Sequence, residues 1–199
     1  MSITLNNGMV KLLIMTIGIL AVFSTLLIGR FQAKEVKGGG AMTLTISSPT
    51  FSSGENIPIT FTCDGRDISP ELQFSGLPAA AKSLALIVDD PDAPDPKAPR
   101  MTWVHWLLYN MPPPTAGLAE NVSATALPPG TLEGLNDWHR TGYGGPCPPI
   151  GRHRYFFKLY ALDTMLPDLG QPTKAELEKA MQGHIVEQAE LIGTYQRIR

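Results

Sequence analysis

The apolar run SLALIV (Ser83–Val88) passes directly into VDDPDAPDPKAPR (Val88–Arg100), thirteen residues that hold four Asp and four Pro. An unbroken apolar run of this length reads as a strand covered on both faces. Proline cannot prolong it, because the ring fixes φ and removes the N–H that a ladder needs. A buried strand must therefore end in a stiff, acidic loop. Asp90 and Asp92, set between Pro91 and Pro94, are the carboxylates placed to serve a site. Asp89 and Asp95 are expected at the surface or in turns. A loop this rich in X–Pro bonds is also a place to expect a cis peptide.

Other segments carry strand patterns. Trp103–Asn110 (WVHWLLYN) alternates with apolar residues on both faces, setting Trp103, His105, Leu107 and Tyr109 against Val104, Trp106 and Leu108. Tyr155–Leu162 (YFFKLYAL) is a second aromatic strand. Ile57–Cys63 (IPITFTC) alternates and predicts a half-buried strand, with Pro58 marking an edge. Between Asn110 and Gly151 lies a Pro- and Gly-rich tract of little periodicity. Thr173-Lys-Ala-Glu176 is a capping box that opens a helix over Ala175–Met181, and Ala189–Gln196 returns as a strand. Nineteen Gly and eighteen Pro in 199 residues fit many turns. The fold class expected is mainly β, a β-sandwich with one or two peripheral helices near the C-terminus.

The first residues are of another kind. After an N-terminal flank (1–11), Leu12–Ile28 has seventeen residues without a charge. At about 1.5 Å per residue the run spans about 26 Å, and Lys11 and Arg30 can snorkel to complete a bilayer crossing. The segment 12–30 is expected to be a transmembrane helix that stays as an anchor. A cleaved signal segment is the alternative. Residues 31–41 (FQAKEVKGGGA) read as a flexible linker, and the globular domain occupies 42–199. By positive charge alone, Arg30, Lys34 and Lys37 against Lys11 would hold that domain in the cytoplasm, whereas a single N-terminal apolar segment favours the extracytoplasmic side. In such a compartment Cys63 and Cys147 would form a disulfide; two free thiols are the alternative.

Net charge is −2, with no basic field, so nucleic acid is not expected as a partner. Two histidines stand among apolar neighbours, His105 in its strand and His153 in GRHRY (Gly151–Tyr155). A ring nitrogen so placed needs a partner. A carboxylate from the acidic loop would fix the tautomer and leave the other nitrogen to face a ligand. The glycines of Gly142–Gly151 (GYGGPCPPIG) could offer backbone N–H groups as an anion nest. Neither HExxH nor GxSxG is present, and no Cys/His spacing argues for zinc.

Taken together, DPDAP (Asp90–Pro94), WVHW (Trp103–Trp106) and GPCPPIGRHRY (Gly145–Tyr155) resemble the phosphatidylethanolamine-binding protein (PEBP) family. The nearer likeness is to its bacterial and archaeal branch, the Raf-kinase-inhibitor-like proteins of the YbhB/YbcL type. TCDG, SPEL and GHIVEQAELIGTYQR extend it from about Met42 to Arg197. One departure is His139 in NDWHR, where bacterial relatives usually carry Gly. The resemblance implies a PEBP-like β-sandwich with a pocket lined by Asp90, Asp92, His105, His153 and Tyr155, and Pro149 and Gly151 in its wall. It implies non-enzymatic binding of a small phosphate-like or phospholipid ligand without a cofactor or metal. It also admits inhibition of a kinase or protease partner, or a homodimer. A metal-assisted hydrolase using the same His/Asp cluster is the alternative function.

Overall fold

The computed structural model describes residues 43–197. The segments expected to be an anchor (12–30), its flank (1–11) and a linker (31–41) lie outside these residues. No helix among the described residues is long and apolar enough to cross a membrane.

Among the described residues, eight strands form two sheets. β1 (Thr45–Ser47), β2 (Leu72–Ser75) and β5 (Gly117–Leu118) form a small antiparallel sheet in the order β1-β2-β5. The larger sheet has the order β6-β4-β3-β7-β8, with β3 (Ser83–Asp90) at its centre, flanked by β4 (Trp103–Met111) and β7 (His153–Leu162). β6 (Leu132–Glu133) and β8 (Ile185–Tyr195) are its outer members. One α-helix, α1 (Lys174–Met181), occurs among the described residues. Thr173 and Glu176 close the capping box at its start.

The central run is apolar throughout because both its faces are covered. Leu84, Leu86 and Val88 enter the core between the two sheets, with Ile46, Leu72 and Phe74 opposite. Ala85 and Ile87 enter a second core with Leu177 and Met181 of α1. All eight residues of β3 are buried. Burying one Leu or Ile side chain stabilises by about 1.5–3 kcal/mol, so a strand with two covered faces anchors the fold.

The structure corrects two sequence expectations here. Ile57–Cys63 is not a strand. Ile59–Phe61 is a 3-10 turn, closed by Phe61 N–H to the Pro58 carbonyl at 3.0 Å and Thr62 N–H to the Ile59 carbonyl at 3.1 Å. Ile57 and Phe61 still reach the core, but Ile59 is 56% exposed, so the period of two breaks at its middle. The second correction is in β4. Val88 pairs with Trp106 and Asp89 with Val104, so His105 is the extra residue of a β-bulge. Simple alternation would group His105 with Leu107 and Tyr109 in the core under α1. The bulge turns it instead to the side of Trp106, in the way that bulges re-aim side chains near sites.

Candidate ligand-binding site

In antiparallel pairing, the end of β3 lies beside the starts of β4 and β7. A cavity of about 310 Å³ opens there. Asp90, Ala93 and Pro94 come from the acidic loop, Met101, Trp103 and His105 from around the start of β4, and Trp138 from the long tract. Cys147, Pro148, Pro149 and His153 complete the lining. The Ala93–Pro94 peptide is cis, in the loop whose proline content suggested one.

His105 has one fixed nitrogen and one open one. Its Nδ1 lies 2.6 Å from the Gly144 carbonyl oxygen, which can only accept. Nδ1 therefore carries the hydrogen, and Nε2 of the neutral ring is an acceptor. That Nε2 is buried and has no partner among the described residues. Burial holds the ring neutral, lowering its pKa to about 4. The partner that sets the tautomer is a carbonyl, not the carboxylate expected from sequence.

His153 is saturated. Nδ1 meets Asp90 Oδ2 at 2.7 Å, and Nε2 meets the Ile150 carbonyl oxygen at 2.9 Å. Since the carbonyl accepts, Nε2 carries a hydrogen, and one further proton is held between Nδ1 and the carboxylate. Burial raises the Asp90 pKa against the opposing effect of His153. Neither nitrogen of this histidine is left for a ligand, contrary to the sequence expectation.

The other aspartates have separate tasks. Asp92 lies outside the cavity lining and grips Arg154. Its Oδ2 accepts from the Arg154 backbone N–H and from Nε, each at 2.9 Å, and Oδ1 accepts from Nη2 at 2.7 Å. The guanidinium holds the carboxyl below the usual carboxylate range. Asp89 is not at the surface as expected. It is fully buried on the α1 side and accepts from Lys158 at 2.9 Å and Lys174 at 2.6 Å. Asp95 does cap a turn, through Lys97 N–H at 2.9 Å.

The cavity wall hangs from the segment around Ile59–Phe61. Cys63 and Cys147 form a disulfide. Tyr143 O–H donates to the Phe61 carbonyl at 3.0 Å, and Cys63 N–H to that of Pro146 at 3.1 Å. The N–H groups of Gly144 and Gly145 are spent on the His105 carbonyl and Asp67 Oδ1, so they offer no anion nest. Gly151 has φ +73°, and a Cβ there would meet Pro96 Cγ at 3.0 Å. Glycine thus lets this loop rest against the acidic loop.

Trp138 was not singled out from sequence. Its ring meets Trp103 and His105 edge-on at 5.4 and 5.2 Å, and the Arg140 guanidinium lies 5.9 Å from its centroid. An aromatic residue in an otherwise aperiodic tract was the available signal. Asn136 Oδ1 holds this turn through the N–H groups of Trp138 and Arg140. His139 sits there at φ +58°, a backbone conformation that favours glycine. A larger groove of about 570 Å³ lies along Pro148–Arg152, Gln196 and Arg197. Its arginines already contact Asn56 and Asp64, whereas the smaller cavity keeps unpartnered buried atoms on its lining side chains.

The sequence profile described as phosphatidylethanolamine-binding protein matches residues 47–196. The chain belongs to the phosphatidylethanolamine-binding protein family. A relative named UPF0098 protein, from Methanothermobacter thermautotrophicus, is 48% identical over 77% of this chain and 99% of its own length. One from Chlamydia pneumoniae is 46% identical over 77% and 99%. Among solved structures, a putative PEBP homolog from Chlamydia trachomatis superposes with TM-score 0.72 at 43% identity, covering 79% of this chain and 99% of that one. E. coli YbcL gives 0.70 at 31%, covering 78% and 99%. Of the seven positions carried over from the PEBP motifs, Asp90, His105, Pro149 and His153 line the cavity. Asp92 and Gly151 support the loops around it. Tyr155 lies beneath it, its ring 5.2 Å from His105 and 6.5 Å from His153. Its hydroxyl is buried without a partner among the described residues.

Proposed function

We propose that the cavity binds a small phosphate-like group, free or on a lipid head group, without turning it over. The observation that carries this reading is a set of unpartnered buried atoms on lining side chains, Trp103 Nε1 and His105 Nε2, with the Tyr155 hydroxyl beneath. Buried polar groups are normally satisfied by protein, water or ligand, and a phosphate group in the cavity would offer these atoms both an acceptor and a donor. Asp90 does not oppose an anion, since its charge is met by the proton shared with His153. The buried indole N–H of Trp103 supplies a donor.

We further propose that the Leu12–Ile28 segment tethers the domain on the extracytoplasmic side. The Cys63–Cys147 disulfide supports this, because such bonds persist in oxidising compartments. A protein partner, a kinase or protease, would then be met at the cavity mouth, where Met101 and Trp138 are exposed.

Native mass spectrometry of the full-length chain, released from detergent, tests the ligand. A co-purified phosphorylated species that disappears in Trp103→Phe is the expected result. A chain that neither carries nor takes up any phosphorylated compound overturns the reading. Phosphatase and esterase assays on the same preparation test the absence of turnover. Thiol labelling in cells with and without reductant reports the compartment.

A further inference from the structure

The open nitrogen of His105 restricts which phosphate can bind. The Gly144 carbonyl takes the hydrogen on Nδ1, so Nε2 presents a lone pair. A fully ionised phosphate oxygen would face it acceptor to acceptor. His153 cannot compensate, because Asp90 and Ile150 occupy both its nitrogens. Among the described residues, no Lys or Arg lines the cavity. The lining therefore holds a donor, Trp103 Nε1, and an acceptor, His105 Nε2, both waiting for partners.

Resting on the phosphate-binding reading above, we infer that the pocket selects phosphate monoesters over phosphodiesters, because the ligand must bring the hydrogen that His105 Nε2 accepts. A monoester monoanion has one P–O–H to donate and further oxygens to accept from the indole. A diester monoanion has no such hydrogen. It binds only if a proton is drawn from solvent onto Nε2. The groups around this ring are Asp89 and Asp90 on β3, His153 and Tyr155 on β7, and Trp138 with Arg140 on the covering turn. Of the two carboxylates, Asp90 is committed to His153 and Asp89 to two lysines; the Asp89 charge favours a proton on His105, but burial of the ring outweighs it.

Calorimetric titration of the full-length chain in detergent decides this. The probes are O-phosphoethanolamine, glycerophosphoethanolamine and ethanolamine, which share the amine and differ at phosphorus. At about pH 5.5 the monoester should bind at least about tenfold more tightly than the diester, as expected when a buried acceptor is left unmet. Its affinity should fall towards about pH 8, because a phosphate monoester loses its second proton near about pH 6. Comparing buffers of different ionisation enthalpy, the diester should take up close to one proton and the monoester little. In His105→Gln the amide can turn its N–H to either ester, so the preference should collapse.

Equal binding of both esters without proton uptake overturns the selectivity and leaves phosphate binding standing. A preference unchanged in His105→Gln does the same. If that variant does not fold, proton uptake by the wild-type chain still decides. Binding of ethanolamine alone as tightly as the esters, or binding of no probe, overturns both this inference and the reading beneath it.

Discussion

Asp89 and Asp90 are adjacent in the chain, and β3 sends them to opposite faces of the sheet. Asp90 follows Val88 towards the cavity and meets His153 Nδ1 at 2.7 Å. Asp89 follows Ile87 towards α1 and meets Lys174 Nζ at 2.6 Å and Lys158 Nζ at 2.9 Å. One dipeptide thus fixes a pocket histidine on one side and docks the helix on the other.

Asp89→Asn should lower stability while leaving every residue that lines the cavity in place. The two lysines are partly exposed and can turn to water, so the cost is about 1–3 kcal/mol, less than for a wholly buried charge. Urea unfolding measures it. An unchanged midpoint would show that the ion pairs contribute nothing net.

Asp92→Asn should cost about 1 kcal/mol at neutral pH, since the Arg154 partner is half exposed. The pH sign follows from the Asp92 pKa, which is lower folded than unfolded. Its contribution is full above about pH 4, the unfolded value, and is lost as pH falls through the lower folded value. Asp90 runs the other way, because its folded pKa is raised. Wild type and Asp92→Asn stability curves should therefore converge below about pH 4. Parallel curves down to about pH 2 would contradict the assignment.

Tyr155→Phe should leave the ligand-free protein as stable as wild type, or more stable by up to about 1 kcal/mol. The hydroxyl is buried and has no partner among the described residues, so its removal breaks no hydrogen bond. The same change should weaken phosphate binding if the ligand reaches that hydroxyl. A loss of more than about 2 kcal/mol in thermal or urea unfolding would reveal a partner for it.

Reduction of Cys63–Cys147 should cost about 2–4 kcal/mol and lower ligand affinity, because Cys147 is itself part of the lining. Unfolding and titration with and without a dithiol measure both. An intact affinity in the reduced protein would mean that the Tyr143 and Cys63 backbone contacts hold the wall unaided.

His139→Gly should be neutral or stabilising by up to about 1 kcal/mol, as it removes a side chain from left-handed backbone at φ +58°. A clear loss in the urea midpoint would show that the imidazole makes a contribution of its own.

What could be read from sequence depended on the range of the forces involved. β4, β7 and α1 carry their own periodicity or caps, so the local pattern sufficed. Ile57–Cys63 misled because alternating apolar residues can be buried by a turn as well as by a strand. The bulge at His105 depends on the register of β3 and leaves no mark within WVHW. Asp89 finds its lysines 69 and 85 residues away, a pairing no local pattern contains. Most of the pocket motifs did gather at one cavity. The saturation of His153 was hidden, because its second partner is a backbone carbonyl and any residue at position 150 supplies one.

β8 runs beside β7 with Tyr195 opposite His153. Tyr195 O–H donates to Asp64 at 2.8 Å, and Arg197 holds the same carboxylate through Nε and Nη2 at 2.9 and 2.7 Å. Asp64 adjoins Cys63, from which the cavity wall is hung. During synthesis, a ribosome that has just delivered His153 has delivered every residue of the cavity lining. It has not yet delivered the strand that braces this histidine or the side chains that clamp the Cys63 turn. The cavity thereby takes its final form late in the life of a nascent chain, and a fragment cut short before Ile185 would carry the lining residues without their frame.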